Sequence, residues 1–326
     1  KNNTEKIVQD VIGGKGINVV IPTGGGVFAL ISLKNLEDGS DKGFNVYEIN
    51  AEFTEWQRIY DFYVPTLLIN GRGNNYDIAY AEKAYAMFVD ALKNGATTRA
   101  CIFATRHRFA TELLMKLMEQ SGLVSYVGKV NMDREASEAL TEKSADISAY
   151  TTFGWINAVK DRFKNTKPIL TPRFIPCCTD KLMEELREIQ MAYGIPVQSH
   201  LSESKGEIDF VKSLRPNNSF YGDSYNEYDL FGKNDDINTD VKTVMAHCVW
   251  STEEEVELMR KNGVFVAHCP ASNMNLTSGI APIRKYLDRG LNIGLGSDIA
   301  GGHSDSVFRA ITDAIQVSKM YFRMVD

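Results

Sequence analysis

Three polar side chains of metal-ligand type stand directly after apolar runs: His200 in PVQSHLSES, His247 in TVMAHCVW and Asp298 in NIGLGSDIAGGHSDS. Imidazole nitrogen with carboxylate oxygen is a ligand set for zinc or iron, and a catalytic ion keeps one position open for water. Such an ion would bring the pKa of that water toward neutrality and make it a nucleophile. Glu203 follows His200 in SHLSE, within reach of a substrate ring as a proton carrier. Arg173 and Phe174 are adjacent in KPILTPRF, where a guanidinium can donate to a carbonyl or ring nitrogen while the phenyl stacks on a flat heterocycle. Each residue also has a plainer reading: Asp298 as a helix cap, Glu203 as a solvated loop acid, Arg173 as a surface ion-pair partner. His268 and Asn273, in HCPASN, read as supports rather than ligands, and His107 as a hydrogen-bonding residue at a strand end. What favours a single site is that His200, His247 and Asp298 recur at the same kind of place, the end of an apolar strand.

Those strand ends have to converge. The runs GINVVIP, ACIFAT, YVGKVNM, KPILTPR, IPVQSH, TVMAHC, VFVAHC and NIGLGSD read as strands. Between most of them lie segments with apolar residues at helical spacing, such as AEKAYAMFVDALKNG and FATELLMKLMEQSG, closed by Gly95 and Gly122. Eight strands alternating with helices imply an α/β fold, a (β/α)8 TIM barrel, whose catalytic groups sit at the C-terminal ends of the strands. A doubly wound open sheet is the alternative. Ser251 with Glu254 reads as a capping box, and Pro216 to Asp240 as a polar, tyrosine-containing loop over one face. The stretch IPTGGGVFALIS lacks the Gly-Lys-Ser/Thr of a phosphate loop and reads as a tight glycine turn. The division expected is an N-terminal segment, residues 1–51, containing the first barrel strand, and a barrel over 52–326.

At 326 residues the chain can bury a large core, and 44% hydrophobic with 24% charged residues is a globular balance. A net charge of −6 argues against a nucleic-acid partner. No apolar run is long enough to span a bilayer, and KNNTEKIVQD does not read as a signal peptide. The five cysteines, without a C-x-x-C, suit buried thiols in a reducing cytoplasm.

Taken together, TPRF, QSHLSE, MAHC, HCPASNMNL and GLGSDIAGG, in that order, resemble the guanine deaminases of the amidohydrolase superfamily. NGATTRACIFAT and YVGKVNMD extend the likeness, which runs from about Glu55-Trp56 to the end. The resemblance implies hydrolysis of guanine to xanthine and ammonia by a zinc-activated water, with iron as the alternative metal. His200, His247 and Asp298 would then be metal ligands, and Glu203, His247 and Asp298 catalytic. Arg173, Phe174, His200 and Glu203 would bind the purine, and the protein would act as a cytoplasmic homodimer.

The chain departs from the pattern in one respect. The superfamily has His-x-His at the end of the first strand, but here no histidine precedes His107. The C-terminal part that completes a flanking β-sandwich is also missing, so that sandwich is expected to be missing or incomplete. Two other readings follow: an amidohydrolase acting on another aminated or chlorinated heterocycle, and a non-catalytic purine-binding barrel.

Overall fold

The computed structural model describes residues 16–22, 27–34, 44–50, 78–138, 140–232 and 242–324, with side chains from Ala81 onward. Two compact units are present, one of residues 1–81 with 137–140, the other of 82–136 with 141–326.

In the first unit β1 (Gly16–Pro22), β2 (Val27–Lys34) and β3 (Phe44–Asn50) form a three-stranded antiparallel sheet in that order. The register runs from Gly16 opposite Lys34 to Pro22 opposite Phe28. This corrects the reading of GINVVIP as the first strand of a parallel barrel. Two apolar runs separated by a few residues that include three glycines are a hairpin signal, and antiparallel pairing is its outcome. The glycine turn itself, at residues 23–26, lies outside the described residues.

In the second unit the strands are parallel and follow one another in chain order. They are β4 (Arg99–Phe103), β5 (Val124–Gly128) with β6 (Val130–Asn131), β7 (Thr166–Pro168) with β8 (Thr171–Pro172), β9 (Val197–Leu201), β10 (Thr243–His247), β11 (Phe265–His268) and β12 (Asn292–Leu295). β4 pairs with β5 and β5 with β7, β6 pairs with β8, and β9 to β12 form a continuous ladder. A parallel bridge between Leu170 and Val197 joins the two sets. The central strands are closely covered, as strands of a parallel sheet are. Val197, Met245 and Val266 are almost wholly buried, and so are Leu182, Leu186, Val256 and Met259 on the covering helices.

The covering helices begin and end where capping chemistry places them. Arg108–Ser121 stops at Gly122 and Asp180–Tyr193 at Gly194, both glycines being left-handed. Asp180–Tyr193 is opened by Thr179, whose hydroxyl accepts the Leu182 N–H. Asp133, just past β6, receives both the N–H and the hydroxyl of Thr179, at 2.8 and 2.6 Å, and so locks that helix start to a strand end. Glu253–Asn262 is capped by Thr252, one residue later than the sequence pattern suggested. Glu255 does not reach back to close a box; its carboxylate takes the Gly222 N–H and the Ser202 hydroxyl instead.

The segment from Pro216 is not a loose loop. Tyr221, Tyr225, Leu230 and Phe231 are buried, and the rings of Tyr221, Tyr225 and Phe231 stack in series at 5.8 and 6.2 Å. Its remainder, residues 233–241, lies outside the described residues.

Candidate active site

The side chains proposed for chemistry do come from successive strand ends. His200 is the fourth residue of β9 and His247 the last of β10, and their rings stack with centroids 5.4 Å apart. The His200 Nδ1 lies 2.6 Å from the Arg173 carbonyl. A carbonyl only accepts, so Nδ1 carries the proton and the Nε2 lone pair is left for the mouth of the barrel. His247 repeats this arrangement, with Nδ1 2.9 Å from the Asn273 side-chain oxygen and Nε2 3.6 Å from the Glu203 carboxylate. Asn273 is thus the support that the sequence suggested.

The two imidazoles are driven in opposite directions. Burial and the neighbouring His247 bring the His200 pKa down to about 4. Burial works the same way on His247, but the Glu203 and Asp298 carboxylates and the Asn273 hydrogen bond overcome it and raise its pKa. Two histidines sharing a pocket with acids are pushed apart in this way, because the ring that faces the carboxylates is favoured in its charged form and the other is not. His268 is almost wholly buried with neither ring nitrogen hydrogen-bonded among the described residues, and burial lowers its pKa to about 4. His107 is also buried, and burial aided by Arg106 and Lys129 takes it to about 3.

Glu203 is held on three sides. Its Oε1 accepts the Ser278 hydroxyl at 2.9 Å, its other oxygen faces His247, and its backbone N–H donates to Glu207 at 3.1 Å. Arg173 and Phe174 follow β8, with the guanidinium 5.1 Å from the Phe174 ring centre and 3.5 Å from the Cys177 sulfur. The Phe174 ring stands edge-on to His200 at 6.2 Å, and Phe103 at the end of β4 approaches the same imidazole at 4.7 Å. Asp298 lies beyond β12 and contributes charge to both histidines.

Several of these turns have left-handed backbone at residues other than glycine: Ser202 at φ 47°, His247 at 71°, Cys248 at 49° and Asp298 at 43°. Strain of this kind concentrates where a side chain must be aimed out of a strand into a site. Around Asp298 glycine is obligatory. A Cβ on Gly302 would fall 2.0 Å from the Ser297 carbonyl, and one on Gly301 2.8 Å from the Asp298 carboxylate.

The donor chemistry is of metal-binding kind, two imidazoles and a carboxylate in one mouth. The arrangement is not, for among the described residues no three His, Cys, Asp or Glu side chains gather around one point. As placed, His200, His247 and Asp298 do not close a metal centre.

Sequence reasoning passed over Phe103, Ser278, Tyr225 and Glu207. Only Glu207 had a legible signal, since Ser204-x-x-Glu207 has the spacing of a capping box and places an acid one turn past Glu203.

Residues 66–325 match the model of the amidohydrolase family. The chain is 36% identical over 247 residues to guanine deaminase of Dictyostelium discoideum, covering 76% of this chain and 53% of that protein. With mouse (Mus musculus) guanine deaminase it shares 36% over 274 residues, 83% of this chain and 57% of that one. The chain therefore spans little more than half the length of these curated relatives. Among solved structures, guanine deaminase from C. acetobutylicum with guanine in its active site superposes with a TM-score of 0.70 at 33% identity. That match covers 94% of this chain and 79% of the other. The parallel strands, the strand-end acids and histidines and these matches agree: the chain belongs to the amidohydrolase family.

Proposed function

We propose that this chain carries the catalytic residues of a guanine deaminase, which hydrolyses guanine to xanthine and ammonia. The observation that carries the reading is Glu203: its carboxylate is fixed by Ser278 and lies 3.6 Å from His247, within the same mouth as the Arg173–Phe174 pair. Phe174 offers a face for a flat purine, and Arg173 a guanidinium for its carbonyl or a ring nitrogen. Water adds at the carbon bearing the exocyclic amine, forming a C–O bond, and the C–N bond then breaks. Glu203 takes one proton from the attacking water and passes it to the ring nitrogen, then takes the second from the hydroxyl so formed and passes it to the leaving amine, which departs as ammonia. His247 pairs with Glu203 and Asp298 and balances their charge. His200, neutral, presents Nε2 to the purine. The likeness to guanine deaminases at 30% identity and above supports the substrate.

The family is metal-dependent, and zinc, with iron as the alternative, is the ion proposed here, with His200, His247 and Asp298 as this chain's donors. As placed, these donors do not close around one ion. That same observation favours a second reading, a barrel that binds purine without turning it over. A homodimer in the cytoplasm is also proposed. Among the described residues no helix is long and apolar enough to cross a membrane.

The deciding experiment is ammonia release from guanine by the purified protein, beside metal content per chain. Ammonia release supports the deaminase. Guanine binding with neither ammonia nor metal supports the purine-binding barrel and ends the deaminase reading.

A further inference from the structure

Glu207 is half-buried on the first turn of the helix Lys205–Leu214 and does not meet substrate in the proposed reaction. Its Oε2 accepts the backbone N–H of Glu203 at 3.1 Å, and its Oε1 accepts the Tyr221 hydroxyl at 2.8 Å. Its own N–H donates to Ser204, the cap of that helix, at 3.2 Å. In an ordinary capping box the third-position acid returns to the backbone N–H of the cap residue. Here it reaches one residue further, to the residue whose side chain faces His247.

The other oxygen leads to the second half of the site. Tyr221 stacks on Tyr225 at 5.8 Å, and the Tyr225 hydroxyl donates to the backbone carbonyl of His200 at 2.8 Å. That hydroxyl also pairs with Ser199 at 2.8 Å. One carboxylate therefore ties the Glu203 backbone directly, and the His200 backbone through two buried, stacked tyrosines, into a single frame. Nothing in helix stability calls for this, because Ser204 already caps the helix.

We propose that Glu207 is a positioning residue that holds Glu203 at its working distance from His247, with Tyr221 and Tyr225 extending the hold to His200. The inference rests on the reading of Glu203 as the proton carrier. A general acid displaced by about 1 Å loses on the order of 10²-fold in rate while substrate binding changes little. Glu207→Gln keeps an acceptor for one of the two donors, and Glu207→Ala removes both.

The test joins two measurements on the full chain: steady-state kinetics with guanine, and amide hydrogen exchange over the segment 199–210 of the unliganded protein. The expected result is kcat lowered about 10²-fold in Glu207→Ala and less in Glu207→Gln, with KM within about threefold of wild type. Exchange at the Glu203 amide is expected to accelerate in Glu207→Ala while the melting temperature of Glu207→Gln stays near wild type. Unchanged exchange in Glu207→Ala overturns the hold whatever the kinetics show. Accelerated exchange with undiminished kcat, in a wild-type protein that releases ammonia, overturns the link to catalysis. A wild type that releases no ammonia defeats the deaminase reading by itself, and the exchange measurement still decides whether Glu207 holds Glu203.

Discussion

Glu203 and Arg173 divide the proposed work, and their variants should fail differently. Glu203→Gln keeps size and the Ser278 contact but cannot carry a proton, so kcat for ammonia release should fall by about 10²-fold or more. Turnover close to wild type would remove Glu203 from the chemistry. Arg173→Ala should instead raise the guanine KM about tenfold or more, the cost of losing a charged hydrogen bond to the purine; an unchanged KM would place Arg173 outside the pocket. His268 offers a test through stability. Burial depresses its folded-state pKa to about 4, below the ordinary 6.5, so between these values the unfolded chain binds more protons than the folded one. Stability contributed by the neutral ring is present above about pH 6.5 and is lost as pH falls toward 4, by on the order of 3 kcal/mol. Denaturant titrations from pH 7 to 4 should show a shallower loss for His268→Gln than for wild type. Identical slopes would mean that the ring does not stay neutral in the fold.

At the scale of elements, polar locks set where strands and helices meet. Lys129, between β5 and β6, is almost wholly buried, and its ammonium lies 2.7 Å from Glu142. The second Glu142 oxygen accepts the Ser148 hydroxyl at 2.5 Å and the Met132 N–H at 3.2 Å, so strand end, connecting loop and helix share one carboxylate. Burial pulls the lysine pKa down, and Glu142 opposes that pull. Lys129→Met would leave the acid buried without its counter-charge, and unfolding should cost about 3–5 kcal/mol less as a result. Adding Glu142→Gln, which keeps an acceptor and removes the charge, should restore part of that loss in the melting temperature. No restoration would show that packing of the lysine stem, rather than charge pairing, matters there. Thr179 with Asp133 is a similar lock, and Glu255 with Ser202 and Gly222 anchors the tyrosine-bearing segment.

At the scale of the whole molecule, the parallel strands run in chain order from Arg99 to Leu295, and Arg173, Phe174, His200, Glu203, His247 and Asp298 lie at or just past the ends of four of them. Such a site belongs to no single segment, so its function depends on the second unit folding as a whole. The proposed dimer makes a plain expectation: sedimentation should report twice the 36.5 kDa chain mass at micromolar concentration. A single-chain mass with full ammonia release would show that the mouth needs no second copy. Metal content per chain belongs to this scale too, since it reports whether donors outside the described arrangement complete the set.

The sequence alone determined the helix limit at Gly122, the order of the parallel strands, and the strand-end identity of His200, His247 and Asp298. These are local matters: left-handed caps need glycine, covered strands need continuous apolar runs, and a polar residue after such a run has one place to stand. The tertiary structure decided what is non-local. It turned GINVVIP into a hairpin partner of Val27–Lys34, because antiparallel pairing depends on which neighbour is free and not on the strand's own composition. It drew Glu207, Tyr221 and Tyr225 beneath Glu203 and His200, although tyrosines in a polar stretch read as surface. It also placed the two imidazoles face to face, with no group of three His, Cys, Asp or Glu side chains around one point among the described residues. Residue type announces what a side chain can bind, but only the packing of separate elements sets whether the donors meet.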